Sequence, residues 1–382
     1  MNRVGVFGST GSVGRQALDV IAAHPEHLQA TVIAAGSSVA ALAEQARSFR
    51  PAAVVIGDAS LAGDLRSALG PTFHGEVLAG PEALAAAATR EDVDTVLAAV
   101  TGIKGLALTL AGVRAGKRLA LANKESLVAA GPLVMETARS SGAKIIPVDS
   151  EHNALFQALA SGREEEVASL ILTASGGPFR RRPRETWEAI TVEEALAHPT
   201  WDMGRKISID SATMMNKALE IVEAHYLFDA PADRIQVVIH PQSVVHSMVL
   251  FRDGSVIAQM SPPDMRGPIQ HALTWPERLP SGPQAFDPSL FTGLTFEEPD
   301  LERFPSLRLG FEAARRGGLH GTVLNAANEE AVALFLGGRI PFVAIFSLVE
   351  TVFERCSGTE LTSLDSVMDA DRWAREEIRR CS

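Results

Sequence analysis

Two acidic segments of the chain have the residue types and the spacing that suit a divalent cation. Asp149 and Glu151 follow the apolar run KIIPV, and residues two apart in an extended segment point the same way, so both carboxylates would face one ion. The alternative is that Asp149 or Ser150 only caps the helix that the run HNALFQALAS predicts. Glu220 is the candidate for a third carboxylate, which would favour the metal site.

Glu220 ends a segment whose helical spacing places Asn216 and Lys217 one turn before it. An amide, an ammonium and a carboxylate on one helix face suit a site that a phosphate and a metal ion share. The alternative is a surface ion pair between Lys217 and Glu220, worth about half a kcal/mol or less.

Two polar loops are candidates for closing over a ligand. Ser175 begins the run SGGP, in which glycine beside serine suits anion binding through backbone amides. Residues 198–206 mix proline, glycine and large apolar residues, which predicts a mobile lid. In that lid, Trp201 and Met203 would exclude water and His198 would approach a phosphate. The alternative is that these side chains only pack or stay solvated.

The motif Gly8-Ser9-Thr10-Gly11-Ser12-Val13-Gly14 lies between an apolar strand and a predicted helix that starts near Val13. Missing side chains let a backbone approach a pyrophosphate, whose charge the helix dipole and the amide groups attract. The spacing is GxxGxxG rather than GxGxxG, so a tight strand-to-helix turn without a ligand is the alternative.

The end of the second predicted strand bears on the choice of nucleotide. It is followed by Gly36, Ser37 and Ser38, which include no acid. An acid at this place would repel a 2′-phosphate, so its absence favours NADP over NAD.

Asn123, Lys124 and Glu125 follow the apolar run RLALA. They would lie at the carboxyl end of the predicted sheet, where doubly wound folds bind their ligands. The alternative is the polar start of a helix, with Glu125 complementing the helix dipole.

The elements that must position these residues follow from the hydrophobic pattern. Residues 1–149 alternate short Val/Ile/Ala-rich runs with Ala-rich segments, which predicts an α/β fold whose N-terminal domain is a doubly wound, Rossmann-like parallel sheet. Residues 150–275 end in consecutive strands and predict an α+β domain with an open sheet that suits pairing with another copy. Residues 276–305 predict a linker, and residues 306–382 predict a C-terminal helical bundle.

The bulk composition excludes several classes of protein. A net charge of −11 disfavours a nucleic-acid or anionic-membrane binder, and no apolar stretch reaches the roughly 20 residues that cross a bilayer. No secretion signal precedes the first strand, and Cys356 and Cys381 lack metal-type spacing. We therefore expect a cytoplasmic protein in a reducing environment.

Six motifs, taken in order, resemble those of the 1-deoxy-D-xylulose 5-phosphate reductoisomerases over nearly the whole chain. They are GSTGSVG, LANKESLV, PVDSEHNALFQ, TASGGPF, HPTWDMGRKISIDSATMMNKALEIVEA and IHPQSVVHSMV. The resemblance implies an NADPH-binding domain over 1–149, a catalytic, metal-binding and dimerisation domain over 150–275, and a homodimer of the non-mevalonate isoprenoid pathway. The implied reaction is a metal-dependent skeletal rearrangement of 1-deoxy-D-xylulose 5-phosphate and its reduction by NADPH to 2-C-methyl-D-erythritol 4-phosphate.

The resemblance also implies roles for individual residues. The cofactor contacts would be Thr10, Gly11, Ser12, Val13, Gly36, Ser37, Ser38, Asn123, Glu125 and Gly204. The ligands of Mg²⁺ or Mn²⁺ would be Asp149, Glu151 and Glu220, which with Lys124 and His198 form the catalytic set. The substrate contacts would be Lys124, Ser150, Glu151, Ser175, His198, Trp201, Met203, Ser211, Asn216, Lys217 and Glu220. Relatives commonly carry Asn, often after a basic residue, where this chain has Ser37-Ser38.

Two other classes of function fit parts of the pattern. An ordinary NADP-dependent dehydrogenase of a phosphorylated or amino-acid-derived aldehyde would share the glycine motif without requiring three carboxylates. A dinucleotide-sensing regulator would bind NADPH without metal-dependent turnover, and the candidate ligands in the runs DSE and NKALE speak against it.

Overall fold

The computed structural model describes residues 1–201, 203–280, 287–357 and 360–382. Asp202, in the predicted lid, and residues 281–286, in the predicted linker, lie outside the described residues. The described chain combines a parallel sheet, a second mixed sheet and a group of C-terminal helices, which confirms the predicted fold class.

Seven short strands form the parallel sheet. They are β1 (Asn2–Phe7), β2 (Leu28–Ala35), β3 (Ala53–Ile56), β4 (Glu76–Ala79), β5 (Thr95–Ala98), β6 (Arg118–Leu121) and β7 (Ile145–Pro147). Their order across the sheet is β4-β3-β2-β1-β5-β6-β7, and each of these pairings is parallel. The order reverses between β1 and β5, and ligands of doubly wound sheets bind outside the carboxyl ends of the strands at such a switch point.

Helices separate these strands along the chain. They are α1 (Ser12–Ala23), α2 (Val39–Phe49), α3 (Ala62–Leu69), α4 (Pro81–Ala88), α5 (Leu106–Arg114) and α6 (Lys124–Ser141). Strands β3 and β5 are buried along their whole length, as expected of strands with helices on both faces. Helix α6 is interrupted at Ala130, whose φ is −140°, because Pro132 prevents a continuous helical hydrogen-bond ladder.

The central part of the chain contains the second sheet. Its elements are α7 (Ser150–Leu159), β8 (Val167–Ala174), α8 (Val192–Leu196), α9 (Arg205–Ala212), α10 (Met215–Leu227), β9 (Ile235–Ile239), β10 (Val245–Phe251), β11 (Val256–Met260) and α11 (Arg266–Thr274). The sheet order is β11-β10-β8-β9. Of the consecutive strands expected from the sequence, only β10 and β11 form a hairpin, since β8 lies between β9 and β10 in the sheet.

The C-terminal part consists of α12 (Ser306–Arg316), α13 (His320–Leu336), α14 (Ala344–Glu354) and α15 (Leu364–Cys381). The described chain contains no helix long and apolar enough to cross a bilayer. Fully buried Trp187 packs its ring 5.8 Å from that of Phe342 and 5.7 Å from that of Phe346. Aromatic rings of this size bury about 150–250 Å² each, so they anchor the helices to the central part.

The chain divides into two compact units, each built from separate segments. The first unit comprises Met1–Asn123, Glu136–Asn153 and Asp264–Phe286, and the second comprises Lys124–Met135, Ala154–Pro263 and Asp287–Ser382. This division differs from the four consecutive segments expected from the sequence. The predicted linker also pairs with β9, since the backbone amides of Ile239 and Glu297 donate to each other's carbonyl oxygens at 2.8 and 2.9 Å.

Candidate functional site

The glycine loop between β1 and α1 leaves no space for a side chain at its two ends. Gly8 has a φ of +91°, and a Cβ atom on Gly14 would lie 2.1 Å from the Gly8 carbonyl oxygen. Helix α1 has no side-chain hydrogen bond at its N-cap, Gly11, and no acid in its first turn. The backbone amides and the helix dipole therefore favour an anion here. The predicted contacts Thr10, Gly11, Ser12 and Val13 all lie in or beside this turn.

The remaining predicted cofactor residues of the first unit follow strands β2 and β6. Gly36, Ser37 and Ser38 are exposed, and the Ser38 side chain makes no capping bond to α2. Asn123 is buried, and its amide donates to the Gly102 carbonyl oxygen at 3.1 Å. The serine hydroxyls are thus accessible to a ligand, whereas the asparagine is fixed in the protein.

Asp149, Ser150 and Glu151 lie at the start of α7 rather than in an extended segment. The Ser150 hydroxyl donates to Glu151 Oε2 at 2.5 Å, and the Ser150 amide donates to Asp149 Oδ1 at 3.2 Å. The extended geometry expected from the sequence is wrong because Ser150 is already helical. Both carboxylates are nevertheless held by local hydrogen bonds at one helix end.

Glu220 belongs to the second unit, where it lies in a buried cluster on α10 and α6. Its side chain is fully buried and pairs with the ammonium groups of Lys124 and Lys217, at 3.3 Å for Lys124. Asn216 donates to Glu220 Oε1 at 2.5 Å and accepts from Lys124 at 2.7 Å. The surface ion pair offered as an alternative for Lys217 is wrong, since that side chain is only 3% exposed. Lys124 and Lys217 thus bring two ammonium groups together, and charged N–H donors of this kind suit a phosphate.

A strained turn brings α9 directly before α10. Met214 has a φ of 60°, in the left-handed region that residues other than glycine rarely adopt. It is buried and lies immediately before the first residue of α10. Strained residues of this kind persist where surrounding packing fixes them, and they cluster at functional sites.

Ser175 and Ser211 are brought near each other by a pair of glycines. Gly176 and Gly177 have φ values of 85° and 68°, and a Cβ atom on Gly177 would lie 2.5 Å from the Ser211 carbonyl oxygen. The loop after β8 therefore packs backbone to backbone against α9.

His198 is hydrogen-bonded in a way that fixes its tautomer. Its Nδ1 atom accepts from the backbone amides of Thr200 at 3.1 Å and Trp201 at 2.9 Å. The proton must therefore lie on Nε2, which donates to the Ser175 hydroxyl oxygen at 3.1 Å. Burial lowers the pKa of His198 below its ordinary value, which agrees with a neutral ring.

The last two residues that the sequence assigns to the lid are helical in the structure. Arg205 and Lys206 belong to α9, and Gly204 is its N-cap residue. Trp201 and Met203 are half-buried, and the Trp201 ring lies 6.4 Å from that of His246. Lys206 has no predicted role of its own within the lid, yet its ammonium group lies 3.1 Å from Glu125 Oε1.

A doubly wound parallel sheet whose first strand-to-helix turn has glycines that leave no space for a Cβ atom is the architecture of dinucleotide-binding enzymes, and the chain has this architecture. Comparison with known proteins narrows this class. Family models of 1-deoxy-D-xylulose 5-phosphate reductoisomerase match residues 4–131 and, for a C-terminal domain, 145–228, and a model of the DXP reductoisomerase C-terminal domain matches 260–377. The chain belongs to the 1-deoxy-D-xylulose 5-phosphate reductoisomerase family.

Individual relatives agree over the full length. The reductoisomerase of Pelodictyon phaeoclathratiforme is 50% identical over 380 residues, which cover 100% of this chain and 99% of that protein. The reductoisomerase of Ralstonia nicotianae is 51% identical over 379 residues, covering 98% of this chain and 96% of that protein.

Solved structures of reductoisomerases have the same fold. The Zymomonas mobilis enzyme in complex with NADPH is 43% identical with a TM-score of 0.93, and the alignment covers 100% of this chain and 98% of that one. A reductoisomerase in complex with NADPH, fosmidomycin and magnesium is 40% identical with a TM-score of 0.94 and the same coverage.

Proposed function

We propose that the protein converts 1-deoxy-D-xylulose 5-phosphate into 2-C-methyl-D-erythritol 4-phosphate by rearranging the carbon skeleton and reducing the product with NADPH. The observation that carries this proposal is the buried cluster of Lys124, Lys217, Asn216 and Glu220 in a chain that matches reductoisomerases over its full length. The matches do not support the alternative of an ordinary aldehyde dehydrogenase.

The glycine loop of the first unit fits NADPH. An uncapped helix start without an acid suits the pyrophosphate, and the exposed hydroxyls of Ser37 and Ser38 suit the 2′-phosphate. We assign Thr10, Gly11, Ser12, Val13 and Gly36 to the same nucleotide, together with Asn123, Glu125 and Gly204. The bound nucleotide would supply the hydride, and the reductoisomerase structure from Zymomonas mobilis that contains NADPH supports the choice of nucleotide.

The carboxylates of Asp149, Glu151 and Glu220 fit a hard divalent cation, Mg²⁺ or Mn²⁺, because such ions prefer oxygen ligands. The Ser150 hydroxyl, which donates to Glu151 Oε2, holds that carboxylate in one orientation. When bound, the ion polarises the carbonyl and hydroxyl oxygens of the substrate. A related reductoisomerase structure that contains magnesium supports the choice of metal.

The phosphate of the substrate is held by residues of the second unit. Ser175, Ser211, Asn216 and Lys217 provide hydroxyl, amide and ammonium donors. The Ser175 oxygen already accepts from His198 Nε2 and from the Gly177 amide, so its hydroxyl hydrogen is directed to a further acceptor. The binding energy of the phosphate group then positions the reacting carbons, which lie in another part of the substrate.

Trp201 and Met203 exclude water from the reactive aldehyde when the segment 198–204 covers the substrate. Both side chains are half-buried, so each retains apolar surface for a ligand. Water exclusion strengthens the electrostatic contacts of the phosphate donors.

The active form is a homodimer in the cytoplasm. Strand β11 is an edge strand, and its side chains Val256, Ile257 and Met260 are 49%, 37% and 36% exposed. An apolar edge with unpaired backbone groups favours pairing with a second copy. Both cysteines are free thiols, as suits a reducing compartment.

One assay tests the proposal. NADPH oxidation should require both 1-deoxy-D-xylulose 5-phosphate and a divalent ion, and NMR should identify the branched polyol phosphate. Asp149→Asn should reduce turnover under limiting metal, whereas Glu136→Gln, at an exposed ion pair of α6, should not. Wild-type turnover of Asp149→Asn under limiting metal would remove Asp149 from the ligand set, and an unrearranged skeleton would refute the function.

A further inference from the structure

Lys206 occupies a position that helix stability does not explain. It lies in the first turn of α9, where the helix dipole disfavours a cation. It pairs with Asp210 at 2.9 Å, and a lysine preceding its acid by four residues is the less favourable order. Its other partner, Glu125, lies in the first turn of α6. Residues that break local rules mark functional positions, and Lys206 joins the starts of two helices.

This connection is buried and charged. The side chains of Glu125 and Asp210 are 7% and 2% exposed. Burial opposes the charged form of Lys206, but the carboxylates of Asp210, Glu125 and Glu329 raise its pKa above the ordinary value. Burial also acts to raise the pKa of Glu125, but Lys206, a backbone hydrogen bond to the carboxylate and the charge of Lys124 together outweigh it, so the resulting pKa is below the ordinary value. Both groups are therefore ionised at neutral pH.

Asn328 orients the acid that holds Lys206. Its Nδ2 atom donates to Asp210 Oδ1 at 2.7 Å, which leaves Asp210 Oδ2 for Lys206. Asn328 is fully buried in the middle of α13, and its own Oδ1 atom has no hydrogen-bond partner among the described residues. A buried amide that satisfies only one of its ends is destabilising. Its side-chain amide nitrogen donates to Asp210.

A second group of polar contacts lies on the same helix. Asn325, one turn before Asn328, donates to Glu329 at 3.1 Å. Glu329 pairs with Arg375 of α15 at 2.6 Å, and Arg375 also pairs with Asp371 at 2.8 Å. These buried and half-buried groups link α13 to α15, and the charge of Glu329 also acts on Lys206.

The start of α6 connects Lys206 to both proposed ligands. Glu125 is the predicted NADPH contact, and the preceding residue, Lys124, binds Asn216 and Glu220 of the phosphate cluster. We infer that Asn328 is a positioning residue for the nucleotide, acting through Asp210 and Lys206 on Glu125. This inference rests on the proposed function, because the role of Glu125 as a cofactor contact belongs to it.

The test measures NADPH binding directly by nucleotide fluorescence, in parallel with steady-state kinetics. Asn328→Ala should weaken NADPH binding about tenfold, the factor that corresponds to about 1.4 kcal/mol, and should raise the KM for NADPH while kcat at saturating NADPH stays near that of the wild type. The matched control is Thr322→Val, which removes another buried hydrogen bond of α13, to the Ala129 carbonyl oxygen at 2.7 Å. It should lower the melting temperature similarly without changing the affinity for NADPH.

A double-mutant cycle distinguishes positioning from general destabilisation. In a Lys206→Met background, Asn328→Ala should weaken NADPH binding no further, because both changes act on one path. Additive losses, or unchanged affinity in Asn328→Ala alone, would overturn the inference. If Asn328→Ala does not fold, Asp210→Asn replaces it in the same cycle with the same expected result. A wild-type protein that binds NADPH but yields no rearranged product would refute the proposed function. The NADPH affinities of the variants would still decide whether Asn328 is a positioning residue.

Discussion

Replacement of Gly14 by alanine tests whether the loop between β1 and α1 holds the nucleotide. The added Cβ atom at this position would stand 2.1 Å from the Gly8 carbonyl oxygen and 2.5 Å from the Ser9 Cα atom. Stable non-bonded contacts lie at about 3.5–4.0 Å. Because both obstacles are backbone atoms, the loop and α1 must move apart by roughly 1 Å or more.

The size of the effect follows from this displacement. Inserting a methyl group into a packed region costs about 1–3 kcal/mol. If that cost falls on the nucleotide complex, the dissociation constant for NADPH rises by about fivefold to about 150-fold. The loop amides would lose their alignment towards the pyrophosphate, so the loss should appear in affinity rather than in the hydride step.

Fluorescence titration with NADPH and urea unfolding of the same samples give the two quantities needed. The matched control is Gly63→Ala in α3, where an added Cβ meets no atom within 4 Å and alanine favours the helix by up to about 1 kcal/mol. The control should bind NADPH as the wild type does. A folded Gly14→Ala protein with wild-type affinity would refute the assignment of the nucleotide to this loop.

Three further predictions concern the second unit. Trp201→Ala should reduce kcat/KM by up to about a hundredfold, the scale of a misplaced substrate, with the melting temperature unchanged; near-normal kinetics would contradict the lid. The lowered pKa of His198 means that its neutral ring contributes fully to stability above its ordinary pKa of about 6.5 and progressively less as the pH falls below it. Because the folded protein keeps this ring neutral below its ordinary pKa of about 6.5, the KM for substrate should rise only at the lower pH at which the ring takes up a proton and loses the acceptor Nδ1, and His198→Gln should abolish that rise. Lys217→Met should lower the free energy of unfolding by about 1–3 kcal/mol, since it removes one of the two buried charged donors of Glu220 and leaves Lys124 as the other, whereas Arg139→Met, at an exposed pair with the same spacing, should cost under about 1 kcal/mol.

Local sequence patterns predicted most strands of the first sheet. The apolar runs VGVF, TVIAA, AVVIG, TVLAAV, RLALA and KIIPV predict strands where the structure has β1, β2, β3, β5, β6 and β7, because strands covered on both faces must be continuously apolar. The edge strand β4 was missed, since none of its residues is buried and its sequence is therefore not continuously apolar. The insertion of β8 between β9 and β10 was also missed, because periodicity carries no information on which distant strand becomes the neighbour.

The sequence predicted only part of the candidate site. Asn216, Lys217 and Glu220 have helical spacing, and the structure indeed gathers them in one cluster. Lys206 was predicted to belong to the lid, because the loop-like composition of the residues before it gave no indication that α9 begins at Arg205. Asn328 belongs to no recognised motif and was missed. The available signal was its position among polar residues inside the otherwise apolar run VLNAANEEAVALFL, a pattern that indicates a buried polar network.

The first unit cannot be completed while the chain is still short. Its last segment, Asp264–Phe286, carries α11, and the Leu273 carbonyl oxygen accepts from the Asn2 side chain at 2.8 Å, while Gln270 lies 3.0 Å from His24. Residues 154–263 must be synthesised in between, which takes roughly 5–20 s at about 5–20 residues per second. During that interval the emerging sheet lacks the partner of α1. Premature termination or slowed translation in the central region therefore exposes apolar surface of the nucleotide-binding part, and we expect chaperones to act on the nascent chain at this stage.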